Sequence, residues 1–194
     1  IAACVASGWD DGEIERRIWA AFVKNSPLDD FLLPVVAMTA GKKVDRRLLE
    51  NFGDTLIEDL ETPFFCVSTN LTHGTNKIHD SGCLRDSLRA SIALPGILPP
   101  VVWGDDVLVD GAVLDNFPVS TMRDFHRGLN IGIDVAQQHA INADHFRNPP
   151  SFVQWVLKNG FKKPPPIAEL LMRSATASIA RACRQWSHIM AAAR

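Results

Sequence analysis

The sequence has few of the features that mark disulfide frameworks, metal sites and membrane spans. Its four cysteines are scattered and form no Cys-x-x-Cys pair, so we expect reduced thiols in a non-oxidising compartment. The histidines fall at no familiar ligand spacing, which predicts that the protein has no metal. No apolar run is long enough for a transmembrane helix. The residues concerned are Cys4, Cys66, Cys83 and Cys183, and His73, His79, His126, His139, His145 and His188.

Composition and charge are those of a globular domain with an asymmetric charge distribution. Apolar residues make up 46% of the chain and charged residues 22%, which suits a chain with a real core. From Ser151 onward there are seven Lys or Arg against one Glu, whereas the net charge of the whole chain is −2. We interpret the basic tail as a solvated helix face, with contact to an anionic lipid surface as the alternative. No groove-reading motif accompanies the charge, so no nucleic-acid partner is expected.

The stretch from Leu88 to Pro118 organises the rest of the chain. It opens as a helix, because Leu84, Leu88 and Ile92 recur four residues apart, and Pro95-Gly96 ends that helix. The uncharged run from Ile92 to Trp103 contains three prolines. We therefore predict a loop that packs inward or lines a cavity.

A short buried strand should follow this loop. Val107-Leu108-Val109 is apolar and ends in Asp110-Gly111. Open α/β sheets bind their ligands at the carboxyl ends of strands, so an acid there is well placed for chemistry. An ordinary Asp-Gly turn is the alternative interpretation.

The remaining elements alternate between helical and strand patterns, which favours an α/β fold. Runs of strand-forming residues predict strands over 64–69, 75–79 and 130–135; Pro63 bounds the first, and the first two are joined as a hairpin through His73-Gly74. We expect Asp115 and Asn116 to hold the turn after Asp110 by side-chain hydrogen bonds, so Asn116 has a supporting role. Helical spacing predicts helices over 1–8, 11–25, 43–52, 118–126, 152–158 and 171–190.

Two strings, RASIALPGILPP and VDGAVLDNFP, resemble the patatin-like phospholipases, and in particular the branch that contains the neuropathy target esterases and their bacterial relatives. The resemblance extends upstream through ETPFFCVSTNLTHGTNKIHDSG and downstream through GLNIGIDVA. It covers roughly Leu60 to Ala136, and the rest of the chain more loosely. Several spaced motifs occur in the order of the family, which makes the resemblance specific.

The resemblance implies a three-layer α/β/α domain with a mixed, mostly parallel sheet. The whole chain, 1–194, would be part of one catalytic domain, with its core over 1–136 and a helical extension over 150–194. Family members are serine hydrolases with a Ser-Asp dyad, whose aspartate lies in an Asp-Gly-Gly or Asp-Gly-Ala motif. Asp110-Gly111-Ala112 matches the second form, so Asp110 would be the proton acceptor, supported by Gly111 and Ala112.

The nucleophile of that dyad is not found in these residues. The family carries its serine in a Gly-x-Ser-x-Gly turn, and neither Ser7 nor Ser81 has glycines at the required positions. The Gly-rich oxyanion segment of the family is missing as well. We therefore expect an internal fragment that is inactive alone, with the serine upstream.

The implied substrate is a lysophospholipid, a phospholipid or another fatty acyl ester, hydrolysed without a cofactor. We expect a cytoplasmic protein with peripheral membrane contact. Two alternatives remain open. One is a catalytically inactive lipid-binding or scaffold protein of the same fold, and the other is a different α/β enzyme that uses Asp110 with a metal or a phosphate.

Overall fold

The computed structural model describes residues 1–24, 30, 36–125, 128–133 and 154. The chain divides into two compact units, Ile1–Gly111 and Ala112–Arg194. The α-helices of the described residues are α1 (Ala2–Ala6), α2 (Asp11–Ile18), α3 (Lys42–Phe52), α4 (Leu84–Ser91) and α5 (Val119–Phe125). The strands are β1 (Cys66–Asn70), β2 (Thr75–His79), β3 (Val101–Trp103) and β4 (Asp106–Asp110). A π-helical segment, Trp19–Lys24, continues α2, and short 3₁₀ turns span Ile57–Asp59 and Gly111–Val113.

The four strands form one sheet in the order β2-β1-β4-β3, with helix α4 packed against it and α3 packed on α4. This confirms the predicted α/β class. All three strand pairs are antiparallel, and the parallel contribution among the described residues is a single bridge between Ala37 and Gly96. The mostly parallel sheet and the third layer therefore stay predictions.

The β1–β2 hairpin forms where the sequence predicted it. Five residue pairs run from Cys66–His79 to Asn70–Thr75. The Asn70 side chain closes the turn, because its Oδ1 accepts hydrogen bonds from the backbone N–H groups of Thr72 at 2.9 Å and His73 at 3.2 Å. Such local bonds satisfy amides that the sheet does not pair.

Helix α4 begins within the core of the first unit. Leu84 has no exposed surface and clusters with Ala3 and Ile57. The helix also packs on β1 and β4, which places its carboxyl end beside the end of β4. Partly buried side chains surround the cluster, namely Phe52, Leu60, Phe64 and Leu88.

Helices α2 and α3 meet through an aromatic and cationic stack. The Trp9 ring lies 5.4 Å from the Phe52 ring in a stacked arrangement, and the Arg17 guanidinium lies 4.3 Å above Trp9. Arg17 also donates to Asn51 Oδ1 at 3.0 Å. Asp10 caps the amino end of α2, because its side chain accepts from the Glu13 N–H at 2.7 Å.

The proline-containing run was predicted correctly in part. Ile97 and Leu98 are buried, and the Ile97 carbonyl accepts bonds from both the backbone N–H and the hydroxyl of Thr39. The run therefore packs inward, as expected. Its last residues, however, form strand β3, because the turn at Gly104-Asp105 brings Val101–Trp103 back onto β4.

The predicted strand over 130–135 was wrong where the structure describes it. Residues 130–133 have no strand pairing, and Ile131 and Ile133 are exposed. Apolar alternation alone does not make a strand, because a strand also needs a neighbour that takes up its backbone hydrogen bonds. Residues 134–135, the helix over 171–190 and all of the helix over 152–158 except Gln154 lie outside the described residues.

Candidate active site

Strand β4 carries Asp110 to the edge of a buried region. Leu108 is fully buried and Val109 is 2% exposed, whereas Asp110 is half-buried. The Asp110 N–H donates to the Ala93 carbonyl at 3.0 Å, so the segment after α4 fixes the end of the strand. The predicted proton acceptor therefore lies at the carboxyl end of a buried strand, where part of its surface is accessible.

Gly111 is required by a close approach of two backbones. A Cβ atom on this residue would overlap the Val67 carbonyl oxygen and lie 2.9 Å from the carbonyl carbon. The Thr69 hydroxyl donates to the Gly111 carbonyl at 3.5 Å from the same strand, β1. Only glycine fits here without moving β1 or β4.

The other predicted supporting residues belong to the second unit. Ala112 is buried within the 3₁₀ turn, and Asn116 is exposed. Of the two side chains expected to hold the following turn, Asp115 does so, because its Oδ1 accepts from the Phe117 N–H at 3.1 Å. The structure thus gives Asn116 no hydrogen bond of the expected kind, and its supporting role stays a prediction.

A buried Ser-His pair that sequence reasoning did not single out lies on β1 and β2. Ser68 is the residue of β1 that pairs with Asp110. Its Oγ lies 2.8 Å from Nε2 of His79, and the two residues are 0% and 3% exposed. Period-2 alternation in the predicted hairpin could have shown that both side chains share one face of the sheet.

Burial keeps His79 and the nearby thiol of Cys66 uncharged at neutral pH. Burial lowers the pKa of His79 to about 4, aided by the positive charge of Lys77 and opposed by Asp80. Burial also raises the pKa of the Cys66 thiol to about 12, opposed by a hydrogen bond with Ser91. Cys66 is therefore a protonated thiol and an unsuitable nucleophile.

An open groove of about 270 Å³ lies between α3 and α4, apart from Asp110. The inward-packed run 92–102 does not contribute to it. Its lining is Asp45, Arg46, Leu48, Leu49, Arg85, Asp86 and Arg89.

Two properties of the described part of the chain bear on cofactors and membranes. Among those residues, no three His, Cys, Asp or Glu side chains are arranged so that they could hold a metal ion. None of the helices described there has the length and the hydropathy needed to cross a lipid bilayer. Cys4, Cys66 and Cys83 are free thiols, as expected, and Cys183 lies outside the described residues.

Residues 1–123, which include Asp110, match the family described as patatin-like phospholipase. The chain belongs to this family, and the resemblance stated above is confirmed.

Relatives in bacteria and fungi carry names from the same branch. The chain is 34% identical over 178 residues to an "Uncharacterized NTE family protein" of Mycobacterium tuberculosis (strain CDC 1551 / Oshkosh), which covers 89% of this chain and 30% of that protein. It is 42% identical over 110 residues to "Lysophospholipase NTE1" of Candida glabrata, which covers 56% of this chain and 6% of that protein. The chain thus spans less than a third of the mycobacterial relative's length.

Proposed function

We propose that this chain supplies the aspartate of a Ser-Asp dyad in a hydrolase of lipid acyl esters. The observation that carries the proposal is the position of Asp110, half-exposed at the end of a buried strand and fixed there by the Ala93 carbonyl and by Gly111. Membership of the patatin-like phospholipase family supports it, since the family match includes this residue.

The chemistry follows from what a carboxylate can do for a serine. A serine hydroxyl is a weak nucleophile at neutral pH, and a carboxylate within hydrogen-bond reach can accept its proton. In the proposal Asp110 accepts that proton while the serine oxygen attacks the ester carbonyl. Asp110 then gives that proton to the alcohol as the ester C–O bond breaks, and an acyl-enzyme forms. Asp110 next accepts a proton from water, whose oxygen attacks the acyl carbonyl. The bond between the acyl group and the serine oxygen breaks, Asp110 returns the proton to the serine, and the fatty acid is released.

The serine itself is proposed to come from outside these 194 residues. No glycine in the chain is followed two positions later by serine, so the Gly-x-Ser-x-Gly turn of the family is not among them. The backbone amides that stabilise the oxyanion would come from the family's Gly-rich segment, which these residues also do not contain. We therefore propose that the 194 residues alone do not hydrolyse esters.

We propose lysophospholipids as the first substrates to test, with phospholipids and other fatty acyl esters next. Fungal relatives named lysophospholipase support this order. A peripheral contact with a lipid surface, in the cytoplasm, belongs to the same proposal.

The test is Asp110→Asn in the full-length protein, with Asp106→Asn as the matched control. Both changes remove one carboxylate from β4, but only the first removes the proposed base. We expect Asp110→Asn to lower kcat for fatty acid release from a lysophospholipid by about 100-fold or more, because a general base contributes that much. Labelling of the serine by a fluorophosphonate should slow in parallel.

Activity of Asp110→Asn within a few-fold of wild type would refute the dyad. If the wild-type protein binds lysophospholipid vesicles but neither hydrolyses nor labels, the inactive lipid-binding alternative replaces the hydrolase. Loss of wild-type activity on addition of a chelator would instead favour the metal-using alternative.

A further inference from the structure

Two buried polar side chains lie on the sheet next to Asp110. Ser68 has no exposed surface, and His79 is 3% exposed. The 2.8 Å hydrogen bond between Ser68 Oγ and His79 Nε2 joins neighbouring strands. Burying a hydroxyl and an imidazole is unfavourable unless both are hydrogen-bonded, so packing alone would be better served by apolar residues.

Ser68 lies directly opposite Asp110 in the register of β1 and β4. Antiparallel strands contain hydrogen-bonded and non-hydrogen-bonded residue pairs, and Ser68–Asp110 is of the second kind, in which the two side chains lie closer together. The Leu71 N–H donates to the Val107 carbonyl at 2.8 Å, which makes that pair a hydrogen-bonded one. The two kinds of pair alternate, so Ser68–Asp110 is non-hydrogen-bonded, and its side chains share one face. The Asp110 N–H agrees with this, because it points away from β1 to Ala93.

Other polar neighbours of Ser68 on this face have partners of their own. Cys66, two residues earlier, interacts with Ser91 on α4. Lys77, directly across on β2, has its ammonium group 5.6 Å from the ring of Trp103. The hydrogen bond that the structure gives to the Ser68 hydroxyl is the one with His79.

The hydrogen-bond donors and acceptors of Ser68 and His79 allow the hydroxyl proton of Ser68 to be donated to Asp110. A neutral imidazole has one N–H donor, and a serine hydroxyl has one donor and two acceptor lone pairs. His79 is neutral near pH 7, because burial lowers its pKa to about 4. If its proton is on Nε2, His79 donates to Ser68 Oγ, and the hydroxyl proton of Ser68 remains for another acceptor.

We propose that Ser68 and His79 are positioning residues for Asp110. In this arrangement His79 Nε2–H donates to the Ser68 hydroxyl, as the 2.8 Å contact allows. In the full-length protein that hydroxyl also donates to the Asp110 carboxylate across the β1–β4 pair, a bond that would add to those of the described residues. The two hydrogen bonds hold the carboxylate in one orientation, ready to accept the proton of the nucleophile. The inference rests on the proposed function.

The kinetic test compares two fully buried serines in the full-length protein. Ser68→Ala removes the proposed donor to Asp110, whereas Ser87→Ala removes a hydroxyl that donates to the Cys83 carbonyl within α4. We expect Ser68→Ala to lower kcat about tenfold with KM unchanged, since the base is misoriented but lipid contacts remain. Ser68→Thr should restore most of kcat, and Ser87→Ala should leave it within twofold.

Asp110→Asn keeps the two proposals apart. If it abolishes activity while Ser68→Ala keeps kcat within twofold of wild type, the positioning role is overturned and the dyad stands. If Asp110→Asn itself stays active, the proposed function fails. In the Asp110→Asn background, adding Ser68→Ala should cause no further loss, because the two residues act as a unit.

A second measurement needs neither activity nor a substituted serine. Nitrogen NMR of the wild-type protein labelled in histidine, assigned with a His79→Gln variant, reports the tautomer of His79. We expect a neutral ring with its proton on Nε2. A proton on Nδ1 would make Nε2 the acceptor of the single Ser68 proton, which would leave none for Asp110 and overturn the proposal.

Discussion

The two ends of β4 each carry an aspartate, and each faces a different end of the β1–β2 hairpin. Asp106 begins the strand, and its carboxylate lies 3.2 Å from Nε2 of His73, whose side chain is 66% exposed. Asp110 ends the strand opposite Ser68, which is fully buried and bonded to His79. The same residue type therefore lies beside a solvent-exposed histidine at one end and beside a buried hydrogen bond at the other.

This difference shows at which end of β4 the stability of the sheet depends on its polar groups. At the exposed end water screens the charges and replaces a lost partner at little cost. At the buried end no water is at hand, so the loss of one group leaves its partner unsatisfied. Equivalent substitutions at the two ends of β4 should therefore have unequal effects.

The largest difference is expected between the two glycines that flank β4. Gly111→Ala should destabilise the protein by about 1–3 kcal/mol and lower activity, because the new methyl group forces Val67 and Asp110 apart. Gly104→Ala meets no atom within 4 Å and only has to adopt a φ of +63°, which costs about 1 kcal/mol. Urea denaturation and lysophospholipid hydrolysis of the full-length variants measure both effects. Equal effects would show that the two ends do not differ.

His73 and His79 extend the comparison of the two ends of β4 to the pH dependence of the free energy of unfolding. The folded-state pKa of His79 is about 4, below the ordinary value of 6.5, so the unfolded chain binds the proton first as the pH falls. The stability associated with neutral His79 is present above pH 6.5 and is lost as the pH falls towards 4. Between pH 7 and pH 5 the loss should be about 2 kcal/mol.

Urea denaturation at the two pH values tests this expectation. His79→Gln should remove most of the difference in unfolding free energy, whereas His73→Gln, at the exposed end, should leave it in place. A wild-type protein as stable at pH 5 as at pH 7 would contradict the assignment of a buried neutral imidazole.

The smallest effect is expected at Asp106, whose side chain is 25% exposed and whose partner His73 is largely exposed. Asp106→Asn removes the partner of His73, and a surface pair of this kind contributes about 0–1 kcal/mol. The free energy of unfolding should therefore change by less than about 1 kcal/mol, with further reduction of the effect in high salt. A loss as large as that of Gly111→Ala would show that the turn end is not the solvated region described here.

Local pattern predicted most of the described elements. Helix α3 and the β1–β2 hairpin follow from periods of 3.6 and 2 and from turn residues within the same segment. The prediction failed where the outcome depends on whether a neighbouring strand is available. Val101–Trp103 became a strand because β4 was available to it, whereas residues 130–133, with similar alternation, have no pairing.

The residues of the candidate site also divide into those that the sequence predicted and those that it did not. The motif around Asp110-Gly111 and the apolar run of β4 were sufficient to single out the aspartate from sequence. Ser68 and His79 were not singled out, because their relation to Asp110 depends on the register of three strands. A shift of one residue in either pair would send these side chains to the opposite face.

The sequence by itself determined the family, the α/β class and the aspartate at the end of an apolar strand, because motifs, hydrophobic period and turn chemistry are local properties. Only the tertiary structure decided what surrounds that aspartate. It paired β4 with β1, pressed Gly111 against the Val67 carbonyl and buried a Ser-His pair opposite Asp110. Those contacts join residues far apart in the chain, and they form only when the apolar faces of the sheet and helix α4 pack together.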